Sequence, residues 1–376
     1  MNLPSEAPPS RTRWRHRRDR LATGLIAAGG IGVILAVLAI GVFLVVEVVP
    51  ALAGGGLAVE RLHATLTPLA WGTLKAAFWA LLFALPLALG AAMHSALFMS
   101  PRLRTRLKPA LELMEALPGV VIGFVAGLVL APWVERHLAV AALLLVTLPL
   151  GALLAGALWR WLPVALRRCL PLAWAGLWLV PWLVLLGWGA VALAPPLEGL
   201  LFGGDLRAWL DAELGLHYAA RNALIVGLAM GFAVLPSVYA LAEEALAGVP
   251  SGLTEGAQAL GATRWQALWR VVLPAAAPGL LAAVMIGAGR AVGETLIVLL
   301  ASGNTALMSL SPLEGMRSLA ASIAIELPEA APGSPDYHLL LLAALALFAF
   351  TFLVNTLAEL VRTRLRHRYH RLGGAP

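Results

Sequence analysis

The sequence predicts an all-α polytopic membrane protein of about eight transmembrane helices, and three observations carry that prediction. Hydrophobic residues make up 60% of the 376-residue chain and charged residues 12%, with a mean hydropathy of +0.86. That is far more apolar surface than one aqueous core can bury, so lipid must solvate much of it. Uncharged apolar runs recur at the roughly 20-residue length that crosses a hydrocarbon core. Strand-like alternation over about ten residues does not recur, which argues against a membrane β-barrel.

Residues 1–20 carry Pro4, Pro8 and Pro9, then Arg11, Arg13, Arg15, Arg17, Arg18 and Arg20, and read as a disordered basic cytoplasmic arm. Residues 21–46 follow without a charge, 26 residues that span with some tilt. Ala51-Leu52-Ala53 resembles a signal-cleavage site. The apolar run is nevertheless longer than the roughly 7–15 residues of a secretory signal core, so it reads as a retained first helix with an outer loop to residue 64. Further spans are expected near residues 67–99, 116–134, 138–159, 173–194, 222–242, 277–301 and 339–360. Pro86, Pro149, Pro236 and Gly287 fall inside them, which a helical bundle tolerates when neighbours satisfy the freed backbone groups.

Charge then orients the spans. Twenty of the 27 Lys and Arg residues fall on one side: the N-terminal arm, Arg102 to Lys108, Arg160 with Arg167 and Arg168, Arg264 with Arg270, and Arg362 to Arg371. The other side holds only Arg61, Arg136, Arg207, Arg221 and Arg317. The positive-inside rule therefore expects both termini, and residues 255–274 between two spans, in the cytoplasm. The net charge of +7 reflects this orientation rather than a nucleic-acid partner, and residues 361–376 read as a basic tail against anionic lipid. A lone Cys169 excludes an intrachain disulfide and a cysteine-rich metal site. Of the outer segments, 302–338 is the most structured, with Gly303-Asn304, Ser311-Pro312 and a proline-rich end. Its Glu314, Glu326, Glu329 and Asp336 outnumber Arg317, and such an acidic mouth repels a free anion, so an anionic substrate would need delivery.

Residues 255–274, EGAQALGATRWQALWRVVLP, are a polar interruption in this apolar chain. Trp265, Leu268, Trp269 and Val272 recur at helical spacing after Gly261, and Pro274 ends the segment, which predicts two short helices hinged at the glycine. Amphipathicity alone leaves two readings open: a surface docked to a protein partner, or an interfacial helix anchored in lipid headgroups by its tryptophans.

The pattern Glu255, Ala257, Gly261, Leu273 and Pro274, with Val271 where isoleucine is usual, resembles the EAA loop of permeases in binding-protein-dependent ABC importers. Gly256 stands where that family has alanine. The resemblance implies that Glu255, Ala257, Gly261, Ala262, Trp265, Leu273 and Pro274 form coupling helices seated in a cleft of an ATPase subunit.

A second set is narrower: residues 289–295 (GRAVGET) followed by Gly303-Asn304, with Trp71-Gly72-Thr73-Leu74, residues 86–90 (PLALG) and residues 112–119 (ELMEALPG) upstream. In order and spacing it resembles permeases of the phosphate-specific ABC importer, of the PstC type. That resemblance implies a MetI-like permease core over residues 65–360, with 136–220 as an inserted segment carrying two extra spans. It also implies a bacterial inner-membrane complex containing a second, PstA-like permease and a PstB-like ATPase dimer that binds ATP and Mg. An extracytoplasmic phosphate-binding protein would deliver the substrate, and this chain itself would hold no cofactor. The alternatives are another oxyanion such as tungstate or sulfate and, from other classes, an ion channel or a membrane scaffold.

Arg290 lies near the middle of its predicted span, where charged side chains turn toward protein or water and default to function. Glu294 follows one helical turn later, so the two are expected to pair, in the weaker Arg-then-Glu order. Arg290, Glu294 and Thr295 are therefore candidates for a translocation path or gate, the alternative being a self-paired couple that only orients the helix. A guanidinium also matches the geometry of oxyanions. Lys75 is expected to snorkel to the interface and His94 to be an interfacial residue. Lys75 and Lys108 are the only lysines, and no G-x-x-x-x-G-K-[ST] loop occurs, so ATP must be hydrolysed by another chain. Zinc-hydrolase and nucleophile-turn motifs are missing too, which argues against an enzyme.

Overall fold

The computed structural model of the chain describes residues 10–53, 59–159, 161–163 and 175–372. Arg160, Arg167, Arg168 and Cys169 fall outside them. The described residues are almost wholly helical, and eight helices are long and apolar enough to cross a membrane.

In chain order the helices are α1 (Ser10–Ala53), α2 (Val59–Leu97), α3 (Pro101–Glu115), α4 (Gly119–Arg136), α5 (Leu138–Leu158), α6 (Ala175–Phe202) and α7 (Leu206–Leu214). They are followed by α8 (Ala223–Ala247), α9 (Ser251–Ala259), α10 (Arg264–Gly293), α11 (Leu296–Ala301), α12 (Leu319–Glu326) and α13 (Pro335–Leu372). The disordered arm expected over residues 1–20 is corrected from Ser10 onward, where the arginines continue the first helix. Arginine is a strong helix former, and the apolar span beyond supplies the nucleus from which the helix extends.

The core forms around α8, packed on α2 along nearly its whole length. Small residues permit this approach: a Cβ at Gly227 would lie 2.7 Å from Trp79 Cβ, and one at Gly231 would lie 3.0 Å from the Ala80 carbonyl oxygen. Lipid offers no hydrophobic drive between helices, so close backbone approach and van der Waals packing hold such pairs together. Ile225, Met230, Val234 and Val238 are fully buried at the contact. α10 and α13 complete the bundle, and α1 leans chiefly on α13, through Leu44, Val48 and Leu341. α5 and α6 pair chiefly with each other, tied by the Trp182 indole donating to Gly151 O at 2.9 Å.

Two spans differ from the expected boundaries. The span predicted at 277–301 begins thirteen residues earlier, as α10, and breaks at Glu294, whose backbone is extended (φ −67°, ψ 123°). The chain then resumes as α11, which packs on α4 and runs parallel to it, Gly119, Gly123 and Gly127 meeting residues 294–301 in the same order. Gly123 and Gly127 make room for it: a Cβ at Gly127 would lie 2.4 Å from Leu300 O, and one at Gly123 would lie 2.9 Å from Leu296 O. The expectation that Pro274 ends the coupling segment is also corrected. Proline lacks the N–H that an α-helix requires, but residues Leu268–Val272 form a π-helical turn whose shifted hydrogen bonds carry the helix past Pro274 into the span.

The segment 302–318 closes the end of the bundle opposite α3 and α9. Its carbonyls of Pro312 and Glu314 accept the first N–H groups of α8, from Leu224 (2.8 Å) and Ala223 (3.1 Å). The Asn222 side chain accepts from Ile225 N at 3.0 Å. These groups have no partner within the helix and would otherwise be stranded. On the α2 side, Thr73 Oγ1 accepts from Leu319 N at 2.9 Å and the Trp71 indole donates to Ser309 O at 3.1 Å. Gly72 lies so close to the Arg317 carbonyl that a Cβ would overlap it.

Candidate functional site

Three helices bring one charged cluster together, with Arg290 partly buried and Glu115 exposed. Arg290, on the last turn of α10, donates through Nη1 to Glu115 Oε1 at 2.9 Å, and Glu115 is the last residue of α3. Ser237, midway along α8, donates from Oγ to the same Glu115 oxygen at 2.8 Å and accepts from Arg290 Nη1. Glu294 Oε1 lies 3.9 Å from Arg290 Nε, in ion-pair range but beyond a hydrogen bond.

The expected Arg290–Glu294 couple is present as this longer ion pair, and a closer partner joins it: Glu115, 175 residues away in sequence, takes the hydrogen bond. α10 ends at Gly293, so Glu294 pairs from just past the last helical turn. Thr295 does not join the cluster. Its Oγ1 donates to Gly293 O at 3.3 Å, and its carbonyl accepts the Leu299 N–H at 2.9 Å as α11 begins.

The coupling candidates form a separate surface. α9 stops at a Gly261 with φ of +90°, a left-handed conformation that favours glycine, and the Gly261 N–H closes the turn onto Gln258 O at 2.9 Å. α10 starts with a capping box in which Gln266 N donates to Thr263 Oγ1 (3.2 Å) and Thr263 N donates to Gln266 Oε1 (2.8 Å). The Thr-x-x-Gln spacing of residues 263–266 is a sequence signal for this helix start.

Leu268 and Val272 are buried against the bundle and Leu273 is half-buried, whereas Trp265 and Trp269 face outward as an edge-to-face pair with centroids 5.6 Å apart. Leu260, at the turn between α9 and α10, is 91% exposed. Glu255 is exposed, and Ala257 and Ala262 are half-buried and joined by the Ala262 N–H donating to Ala257 O at 3.1 Å. Pro274 is exposed just past the π-turn. A cavity of about 410 Å³ separates this segment from the ends of α2, α3 and α8, with Arg104, Glu255, Gln258 and Arg264 among its lining. Arg104 is itself tied to the buried Glu243 of α8, which anchors α3 to the bundle.

Lys75 corrects another expectation. It does not snorkel: it is only 5% exposed on α2, and its Nζ has no hydrogen-bond partner among the described residues. Burying an ammonium that makes no hydrogen bond costs stability that an apolar side chain of similar length does not, and the nearby Glu314 carboxylate offsets only part of that cost. Lys75→Met is accordingly expected to raise the thermal midpoint of the purified protein, by a gain of about 1–3 kcal/mol. A lowered midpoint would show that the charge is compensated. His94, expected at the interface, is half-buried and stacked on Phe98 with centroids 6.3 Å apart.

Among the described residues no group of His, Cys, Asp and Glu is placed to hold a metal ion. The signals that sequence reading missed were at hand. Glu115 lies inside the 112–119 motif without being singled out as a site residue, and Gly119, Gly123 and Gly127 recur at the four-residue spacing on which α11 packs.

Comparison with known proteins follows the same lines. Residues 84–367 match the family of binding-protein-dependent transport system inner membrane components. The chain is 28% identical over 311 residues to the phosphate transport system permease protein PstC of Xylella fastidiosa (strain Temecula1), covering 82% of this chain and 77% of that protein. It is 31% identical over 251 residues to the PstC of Mesorhizobium japonicum, covering 64% of this chain and 74% of that one. Similarity to the probable ABC transporter permease protein YqgH of Bacillus subtilis reaches 31% over 187 residues, 47% of this chain and 60% of the relative. An eight-span helical bundle whose match to one family runs from within α2 to the last turns of α13 leaves one assignment: the chain belongs to the binding-protein-dependent transport system inner membrane components, and is a membrane permease of an ABC transporter.

Proposed function

We propose that this permease moves inorganic phosphate inward across a bacterial inner membrane, driven by ATP hydrolysis on a separate ATPase chain. The observation that carries the reading is the similarity to phosphate transport system permeases along 82% of the chain, together with a partly buried guanidinium held at Arg290 where α3, α8 and α10 meet. Arginine offers a planar fork of donors that suits a tetrahedral oxyanion. A PstA-like permease completes the path, a PstB-like ATPase pair receives the coupling segment, and an extracytoplasmic phosphate-binding protein delivers the anion past the acidic outer loop. Both termini lie in the cytoplasm, in keeping with the positive-inside asymmetry.

The coupling role has its own support. The segment from Ser251 to Trp269 exposes Leu253, Leu260, Trp265 and Trp269 at the end of the bundle that carries the basic α3. Exposed aromatic and aliphatic side chains grouped on a polar segment are the anchors expected of a protein interface. Its second half is rigidly continuous with the helix that carries Arg290, so a push on Trp265 moves α10 as one body. ATP-driven closure of the ATPase pair thereby reaches the path.

The complete complex in lipid vesicles tests the substrate. ATP-dependent uptake of radiolabelled phosphate, suppressed by unlabelled phosphate but not by sulfate or tungstate, is the expected result. Uptake suppressed by sulfate or tungstate instead would reassign the permease to that oxyanion.

A further inference from the structure

The Arg290 cluster sets two carboxylates against one guanidinium, and one of them is an unusual choice. Glu115 is the last residue of α3, where a negative charge opposes the helix dipole. A residue placed against the helix's own preference and turned onto a cation from another helix is held there by that cation. Its hold is one-pronged: Arg290 uses Nη1 for both Glu115 and Ser237, while its Nε reaches no closer than 3.9 Å to Glu294. A guanidinium has five donors in a fixed fork, so most of the fork is not engaged by Glu115.

We propose that Glu115 is a displaceable counter-ion: it occupies the anion position on Arg290 in the unloaded permease, and a transported oxyanion must evict it. The inference rests on the reading of Arg290 as a path residue and adds the determinant of which anions pass. A tetrahedral oxyanion presents two oxygens to the fork and replaces a single-oxygen contact with a two-pronged one, which is the stronger arrangement. A small monoanion such as chloride has no matching geometry and meets a site whose two carboxylates outweigh its one cation. Glu115 thus keeps the unloaded path closed to the commonest anions while yielding to the cognate one.

The structure also provides a cation toward which the evicted carboxylate can turn. Glu115 borders a cavity of about 20 Å³, roughly the space of one water molecule, between α3 and α8. Lys108 borders the same cavity and lies two helical turns earlier on the same face of α3. The other carboxylate at this cavity, Glu243, is already held by Arg104, which leaves Lys108 as the cation toward which Glu115 swings. Ser237 donates to Glu115 in the closed position, fixing the carboxylate until the substrate arrives.

The test is chloride efflux from vesicles containing the assembled complex, without ATP. Wild type and Glu115→Asp are expected to be tight, and Glu115→Gln to leak at least about tenfold faster, the scale of one lost charged hydrogen bond. Ser237→Ala keeps the charge but removes the donor and is expected to fall between. Tight Glu115→Gln vesicles overturn the proposal. If that variant does not assemble, tight Ser237→Ala vesicles do so. The substrate assignment is read separately: a wild-type complex that takes up no phosphate with ATP, beside a leaking Glu115→Gln, rejects phosphate and keeps the counter-ion, and the converse pattern rejects the counter-ion alone.

Discussion

Arg290→Ala is expected to reduce ATP-driven phosphate uptake by roughly a hundredfold or more while the permease remains in the membrane. Removing one partner of a hydrogen-bonded charge pair costs about 2–5 kcal/mol, and each 1.4 kcal/mol is a factor of ten. Two effects combine here. The substrate loses its fork of donors, and Glu115 and Glu294 are left facing one another without the cation that separates them. The second effect could lower assembly by itself, so the double variant Arg290→Ala with Glu115→Gln distinguishes them. Relieving the carboxylate repulsion restores assembly, measured by co-purification with the ATPase chain, yet a path residue leaves transport lost. Recovery of uptake in the double variant would reduce Arg290 to a structural tie between α3, α8 and α10. Arg290→Lys keeps the charge without the fork and is expected to retain assembly with much of the uptake lost.

The number and order of the spans were legible because a membrane imposes one strong rule: about twenty apolar residues for each crossing. All eight predicted runs have a counterpart among the eight long apolar helices. What the rule cannot give is where a helix breaks. The run at 277–301 is apolar throughout apart from Arg290, Glu294 and Thr295, and hydropathy alone does not separate one straight span from α10 followed, after a break, by α11. The break depends on Gly123 and Gly127 of α4 offering a groove more than 160 residues earlier, a tertiary contact invisible to a local window.

The candidate site divides in the same way. Arg290 announces itself because an intramembrane charge demands an explanation, and the one-turn rule finds Glu294 but not the closer partner Glu115. A rule of local spacing cannot reach a residue on another helix 175 positions away. Lys75 fails for a related reason. Snorkelling presumes an open route to the interface, whereas residues 302–318 close over that end of α2 and bury the ammonium. The local shape of residues 255–274 was more legible, because the glycine hinge and the tryptophan spacing are local properties of the chain.

Glu255→Lys and Gly261→Pro are each expected to cut ATP-driven uptake by roughly a hundredfold or more without expelling the protein from the membrane, but by different physical routes. Gly261 holds φ at +90° and donates its N–H to Gln258 O. Proline fixes φ near −65° and has no N–H, at a cost of about 3 kcal/mol or more, so the turn that sets α9 against the start of α10 opens. The backbone failure is confined to the exposed turn, because no side chain packs over Gly261 and the buried Leu268 and Val272 still hold the α10 root in the bundle. Glu255→Lys leaves the backbone intact and changes only the charge on an exposed face, in a cavity that already contains Arg104 and Arg264. Three cations then replace two cations and one carboxylate, and a partner surface complementary to the carboxylate is repelled. The measurement that separates coupling from folding is ATPase activity of the assembled complex with and without the loaded binding protein. A coupling role predicts that stimulation by the binding protein disappears in both variants, while the chloride tightness conferred by Glu115 persists, since its contacts with Arg290 and Ser237 lie deeper in the bundle. Uptake preserved in both variants would remove residues 255–274 from the coupling path.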